Sequence, residues 1–149
     1  MLGPRDHMRL PGHCGYAGAA HTATATRERR ASWTLPRDLS STPAARRLVR
    51  AQLAAWGYGE HSELAELLVS ELIANALRHG VGEPVVTLSS SGGVLRGEVA
   101  DASPGLPQVQ HMPEEEESGR GLLLVEALSR DWGVERTGAG KAVWFELDV

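Results

Sequence analysis

The chain has 149 residues, which is enough for one domain with a buried core of its own. Its hydrophobic share of 42% is ordinary for a globular protein, and its formal net charge of −4 argues against the broadly basic surface of nucleic-acid-binding domains. No run approaches the roughly 18 apolar residues of a transmembrane helix. We therefore expect no membrane partner and no direct nucleic-acid partner.

The composition divides the chain into a leader and one domain. Residues 1–29 are rich in Gly, Ala, Thr and His and show neither a helical nor a strand period, so we predict a disordered leader. The leader also lacks the apolar core of a secretory signal, and we expect a cytoplasmic location. Its role is left open between a partner-binding extension and plain disorder. Residues 30–149 form the predicted domain.

The first half of the domain predicts one strand and two helices. Residues 30–35 alternate apolar and polar side chains, which is typical of a half-buried strand. A helix is predicted to start at Ser41 or Thr42 and to end at Gly57. A second helix is predicted from His61 or Ser62 to Gly80.

The second half predicts two hairpins with a helix between them. A turn of two serines and two glycines joins the first pair of strands, and a long loop over residues 103–119 precedes the helix. The predicted elements are strands 85–89 and 94–100, helix 121–129, and strands 132–135 and 142–147. This order predicts an α+β fold, a two-layer sandwich in which a mixed or antiparallel sheet carries the helices on one face.

Polar residues interrupt the apolar surface of the second predicted helix. Glu71, Asn75 and Arg78 fall within one narrow arc, where burial of an unsatisfied carboxylate or amide would cost several kcal/mol. The Asn75 amide oxygen suits Mg²⁺, and Glu71 could accept a proton from a water or a hydroxyl group. In the structural alternative, Glu71 pairs with Arg78 or another arginine and Asn75 bonds the backbone.

His79 ends the same helix, one turn beyond Asn75. A positive charge at this place is favoured by the helix dipole. We interpret His79 first as a helix-end residue, and second as a contact to a phosphate or to the loop that would cover it.

A glycine- and proline-containing loop follows the strand predicted over residues 94–100. Asp101 comes directly after that strand and is expected to face a cleft, where a carboxylate could accept a hydrogen bond from an exocyclic amine. Gly105 would allow the backbone to approach a flat ring because it has no Cβ. An ordinary proline-rich turn through Pro107 remains the alternative.

A second glycine-containing loop leads into the third predicted helix. Gly119, Arg120, Gly121 and Leu122 stand where the free N–H groups and the helix dipole would favour an anion, and the arginine adds a cation. Such a loop is common, and this one lacks both the third glycine of a dinucleotide fingerprint and the Lys-Ser/Thr of a P-loop. The loop becomes informative because it follows the other two motifs along the chain.

Taken together, the three motifs resemble the nucleotide boxes of the histidine-kinase-like ATPase (GHKL) superfamily, and within it the anti-sigma-factor serine/threonine kinases. The motifs are Glu71-Leu-Ile-Ala-Asn75-Ala-Leu-Arg-His79, Asp101-x-Ser-x-Gly105-x-Pro107 and Gly119-Arg-Gly121-Leu122-x-Leu-Val125. The resemblance covers about residues 30–149 and implies a Bergerat-type ATP-binding fold.

The resemblance also implies a role for each motif. Asn75 would coordinate Mg²⁺, Asp101 would bind the adenine amino group, and Glu71 would be the catalytic base. Gly105 would pack beside adenine, and the loop from Gly119 to Leu122 would meet the phosphates of ATP. The remaining residues of the implied nucleotide site are Arg78, His79 and Pro107.

The implied partners are proteins. The kinases that the chain resembles phosphorylate a serine or threonine of an anti-anti-sigma (STAS-type) protein and sequester a sigma factor, and the resemblance favours a homodimer. One segment departs from this pattern: residues 108–118, which should cover the phosphates, are dominated by glutamates. This departure leaves open a second function, in which the protein binds ATP without catalysis and ATP only biases partner affinity.

Overall fold

The computed structural model of the protein describes residues 28–103 and 116–149, with side chains of the second range from residue 121 onward. Within these ranges lie β1 (Arg29–Thr34), α1 (Ser41–Trp56), α2 (Ser62–His79), β2 (Val85–Ser91), β3 (Val94–Asp101), α3 (Glu116–Leu128), β4 (Asp131–Arg136) and β5 (Lys141–Asp148). The predicted disordered leader lies almost entirely outside them. No described helix is long and apolar enough to cross a membrane.

The five strands form one open sheet in the order β1-β2-β3-β5-β4, and every neighbouring pair is antiparallel. The predicted α+β fold is therefore confirmed, and the sheet is antiparallel rather than mixed. The central pair, β3 and β5, places Leu95 opposite Leu147 and Asp101 opposite Lys141. Because side chains alternate between the two faces of a strand, these four residues lie on the same face of the sheet.

The core lies between that face and the helices. α2 packs across β3 and β5, while α1 and α3 pack against α2. The largest fully buried side chains come from both layers, and they include Leu68, Leu72 and Ile73 of α2 together with Leu95 and Phe145 of the sheet. The predicted polar arc therefore lies on α2, the helix that packs directly on the sheet.

Helix boundaries follow the expected signals at one end of α1 and depart from them in α3. Gly57 ends α1 in the left-handed conformation, with φ of 87°, as predicted for a glycine cap. The start of α3 was predicted at Gly121, but the helix begins at Glu116. The acidic run was expected to stay in a loop, whereas Glu116 and Glu117 form the first turn of α3.

An ion pair holds α1 against α2. Arg50 donates two hydrogen bonds to the Glu66 carboxylate, at 3.0 and 2.8 Å, and Ser62 Oγ donates a third at 2.6 Å. The Arg50 guanidinium lowers the pKa of Glu66 more than burial raises it, and the Ser62 hydroxyl lowers it further. Arg50 of α1 therefore anchors the helix that bears the candidate site.

Candidate functional site

The ends of α2, β3 and β5 meet at one point of the fold. A Cβ at Gly80 would lie 2.5 Å from Asp101 Oδ2, and a Cβ at Gly140 would lie 2.1 Å from the Asp101 carbonyl oxygen. The Ala102 N–H donates to the Val81 carbonyl at 2.9 Å, which ties the segment after α2 to the end of β3. The two glycines therefore permit close approaches to Asp101, at its carboxylate and at its carbonyl oxygen, that any side chain would block.

Asp101 stands at this junction as the last residue of β3. It was expected to face a cleft; the structure places it at the strand end, 7% exposed, in an ion pair with Lys141, which is 2% exposed. Lys141 Nζ donates to Oδ2, and the Ser103 N–H donates to Oδ1 at 2.7 Å. Both carboxylate oxygens are thus held in fixed directions, and the negative charge has a buried partner.

Sequence reasoning missed Lys141 as a site residue. A usable signal was present, because the period of β5 places Lys141 on the same face as Val143 and Phe145, both of which are buried. A lysine in register with two core residues needs a buried anion to compensate its charge. Asp101, directly opposite on β3, is that anion.

The three residues of the polar arc on α2 differ in exposure: Glu71 is half-buried, Asn75 is buried and Arg78 is exposed. Asn75 is 5% exposed and points into the body of the protein, while Arg78 is exposed to solvent. Glu71 is half-buried, and its Oε1 lies 2.7 Å from the position that a Cβ on Gly121 would take. The structure therefore brings Glu71 and Gly121, two of the predicted site residues, into direct contact. His79 is partly buried at the helix end, next to Gly80.

The early start of α3 changes the predicted anion subsite. The first four N–H groups of a helix, counted from its cap residue, lack an intrahelical partner, so among the described residues of α3 these groups belong to residues 116–118 and not to a segment starting at Gly121. Leu122 is 3% exposed and belongs to the core. Of the other predicted residues, Gly119 and Arg120 are described by their backbone alone, and Gly105 and Pro107 lie outside the described residues.

A cation fixes the C-terminal end of α2, and sequence reasoning also missed it. The Arg37 guanidinium donates to the Ala76 carbonyl at 3.0 Å and to the Leu77 carbonyl at 2.9 Å. These carbonyls belong to the last turn, where a positive charge also complements the helix dipole. Arg37 thereby holds in place the turn that follows Asn75.

The side chains around Asn75 match the coordination chemistry of Mg²⁺. Mg²⁺ usually keeps several waters and takes one or two protein oxygens together with the phosphates of a nucleotide. A buried amide one turn from a carboxylate, as Asn75 and Glu71 are, fits that requirement. Within the described residues there is no group of three or more His, Cys, Asp or Glu side chains that could hold a metal ion.

Comparison with known proteins gives one family. A family model described as a histidine kinase-like ATPase domain matches residues 35–147, which is most of the chain. The matched range starts at the residue after β1, ends within β5 and includes Glu71, Asn75, Asp101, Gly121 and Lys141. No curated protein matches the chain. The family match supports ATP binding and a regulatory function for this domain.

Proposed function

Because the chain belongs to the histidine kinase-like ATPase domain family, we propose that it binds ATP with Mg²⁺ and phosphorylates an anti-anti-sigma (STAS-type) protein on serine or threonine. In the same proposal the protein sequesters a sigma factor when that partner is absent. The observation that carries the catalytic part is the position of Glu71: it lies one turn before Asn75 and against Gly121. A carboxylate placed there lies close to both Asn75, the proposed metal ligand, and Gly121 of α3.

Nucleotide binding in this proposal uses residues from three elements. Asn75 of α2 contributes its amide oxygen to Mg²⁺, and Asp101 of β3 accepts a hydrogen bond from the exocyclic amine of adenine. The N–H groups at the start of α3 would bind the phosphates, and Arg120 follows in the same helix as a cation close to them in sequence. Mg²⁺ held by Asn75 would supply charge neutralisation to the phosphates during transfer.

Glu71 has the role of general base. Its carboxylate accepts the proton of the attacking serine or threonine hydroxyl as the hydroxyl oxygen bonds to the γ-phosphorus. The bond from that phosphorus to the bridging oxygen breaks, and ADP leaves with the electron pair. Packing against Gly121 limits the directions that the Glu71 side chain can take. The orientation of the base toward the attacking hydroxyl group is therefore restricted.

The direct test is transfer of labelled phosphate from γ-³²P-ATP to an anti-anti-sigma protein encoded in the same genome. We expect the wild-type chain to label the partner at a serine or threonine, with Mg²⁺ required. A partner in which that hydroxyl residue is replaced by alanine is the control and should stay unlabelled. If none of the genome's anti-anti-sigma proteins is labelled by a chain that binds ATP, the kinase proposal is wrong.

A second function is favoured by the acidic start of α3. The sequence carries four consecutive glutamates, 114–117, just before the proposed phosphate-binding residues, and negative charges near bound phosphates would oppose their approach. In this alternative ATP binds and changes partner affinity without transfer. Sigma-factor affinity that differs with and without ATP, in the absence of any phosphotransfer, would favour it over the kinase.

A further inference from the structure

Lys141 has more hydrogen-bonding capacity than the described part of the chain uses. An ammonium group carries three N–H donors, and among the described residues Asp101 is the one hydrogen-bonding partner of Lys141 Nζ. The lysine is 2% exposed, so bulk water reaches it poorly. A buried cation with spare donors is costly unless another acceptor reaches it. A ligand acceptor bound at the junction of α2, β3 and β5 would supply that partner.

The ion pair presents an acceptor and a donor side by side. Asp101 Oδ2 and Lys141 Nζ are within hydrogen-bonding distance of each other, on the same face of the sheet. Adenine offers the complementary arrangement on one edge, because its exocyclic N6 amine donates and the adjoining ring nitrogen N1 accepts. The N7 acceptor lies on the far side of the amine. One carboxylate and one ammonium could therefore read two neighbouring atoms of the same base.

We propose that Lys141 is a base-reading residue that donates a hydrogen bond to N1 of a bound 6-aminopurine, while Asp101 accepts from the N6 amine. The proposal rests on the proposed ATP binding and adds to it the residue that recognises the ring nitrogen. A merely structural role for Lys141 would neutralise Asp101 equally whether or not the base carries N1. The two roles therefore differ in their dependence on a single ligand atom.

The test on the wild-type protein compares three nucleotides by isothermal titration with Mg²⁺ present. Replacing N1 by carbon, in 1-deaza-ATP, is expected to weaken binding about 10- to 100-fold relative to ATP, the range for a hydrogen bond from a charged donor. Replacing N7, in 7-deaza-ATP, is the matched control and should change affinity by less than about threefold on the same scale. Equal affinity for 1-deaza-ATP and 7-deaza-ATP would overturn the proposal.

The variant Lys141→Met tests whether this lysine is the donor of the hydrogen bond to N1. Folded Lys141→Met should bind ATP as weakly as the wild type binds 1-deaza-ATP, and should no longer distinguish the two nucleotides. If the variant still prefers ATP by the wild-type ratio, N1 is read elsewhere and the proposal fails. Since loss of Lys141 leaves a buried carboxylate without its partner, the double variant Asp101→Asn/Lys141→Met provides a second folded background for the same comparison.

The failures of the two proposals are distinguishable. Wild-type protein that binds neither ATP nor 7-deaza-ATP would contradict the proposed function and this inference together. Wild-type protein that binds ATP but ignores the loss of N1 would contradict the inference alone. Tighter binding of GTP than of ATP would also overturn it, because guanine carries an acceptor at position 6 and a donor at N1.

Discussion

Replacing Glu71 with glutamine is expected to lower the rate of phosphoryl transfer about 100- to 10,000-fold, the usual contribution of a general base. Glutamine keeps the length and shape of the side chain, so the contact with Gly121 is preserved. What is lost is the ability to take up the hydroxyl proton. ATP affinity should therefore stay close to that of the wild type, and single-turnover transfer of labelled phosphate to the partner is the measurement that shows the loss.

Glu63→Gln is the matched control for this prediction. Glu63 lies in the first turn of the same helix and is exposed, so its replacement removes the same charge away from the site. We expect its transfer rate to equal that of the wild type. Transfer by Glu71→Gln at the wild-type rate would remove Glu71 from the mechanism, and loss of ATP binding in that variant would point instead to a role in holding the nucleotide.

The second large effect is expected from Gly140→Ala. The added Cβ would lie 2.1 Å from the Asp101 carbonyl oxygen and 2.6 Å from the Ala102 Cα, and both are backbone atoms that cannot rotate away. We expect a loss of about 3 kcal/mol in the free energy of unfolding, as for an overpacked core position. The thermal midpoint should fall by about 10 °C for a domain of this size. Because the strand ends that carry Asp101 and Lys141 must move apart, ATP affinity should fall as well.

Gly138→Ala supplies the control within the same turn. A Cβ at Gly138 would meet nothing within 4 Å, and the residue is exposed. Its thermal midpoint should lie within about 2 °C of the wild type, since surface changes of this kind are small. A Gly140→Ala protein as stable as Gly138→Ala would mean that β3 and β5 do not approach as closely as described.

The fold could largely be predicted from the sequence. Over most of the domain, the spacing of hydrophobic residues and the positions of glycines indicate the same helix and strand boundaries. β1, β3 and β5 lie within one or two residues of their predicted ranges, and α2 begins at the predicted Ser62. The start of α3 was misplaced because four consecutive glutamates are typical of a solvated loop, whereas the helix begins within that run.

The candidate site was predictable where one element carries it and less so where two elements meet. The spacing of Glu71 and Asn75 on one helix is a local property, and the structure keeps both on that helix. The pairing of Asp101 with Lys141 depends on the register of β3 against β5, forty residues apart, which no local pattern specifies. Contributions of Gly105 and Pro107 stay predictions, because they lie outside the described residues.

The most direct test of the nucleotide site is isothermal titration of ATP, with and without Mg²⁺, into wild type, Asn75→Ala and the control Glu63→Gln, each checked for folding by circular dichroism. The account predicts Mg²⁺-dependent binding by wild type and control. It predicts at least a tenfold loss, about 1.4 kcal/mol, in Asn75→Ala because the protein oxygen that holds the metal is gone. Unchanged Mg²⁺-dependent affinity in folded Asn75→Ala, or no binding by the folded wild type, would contradict it.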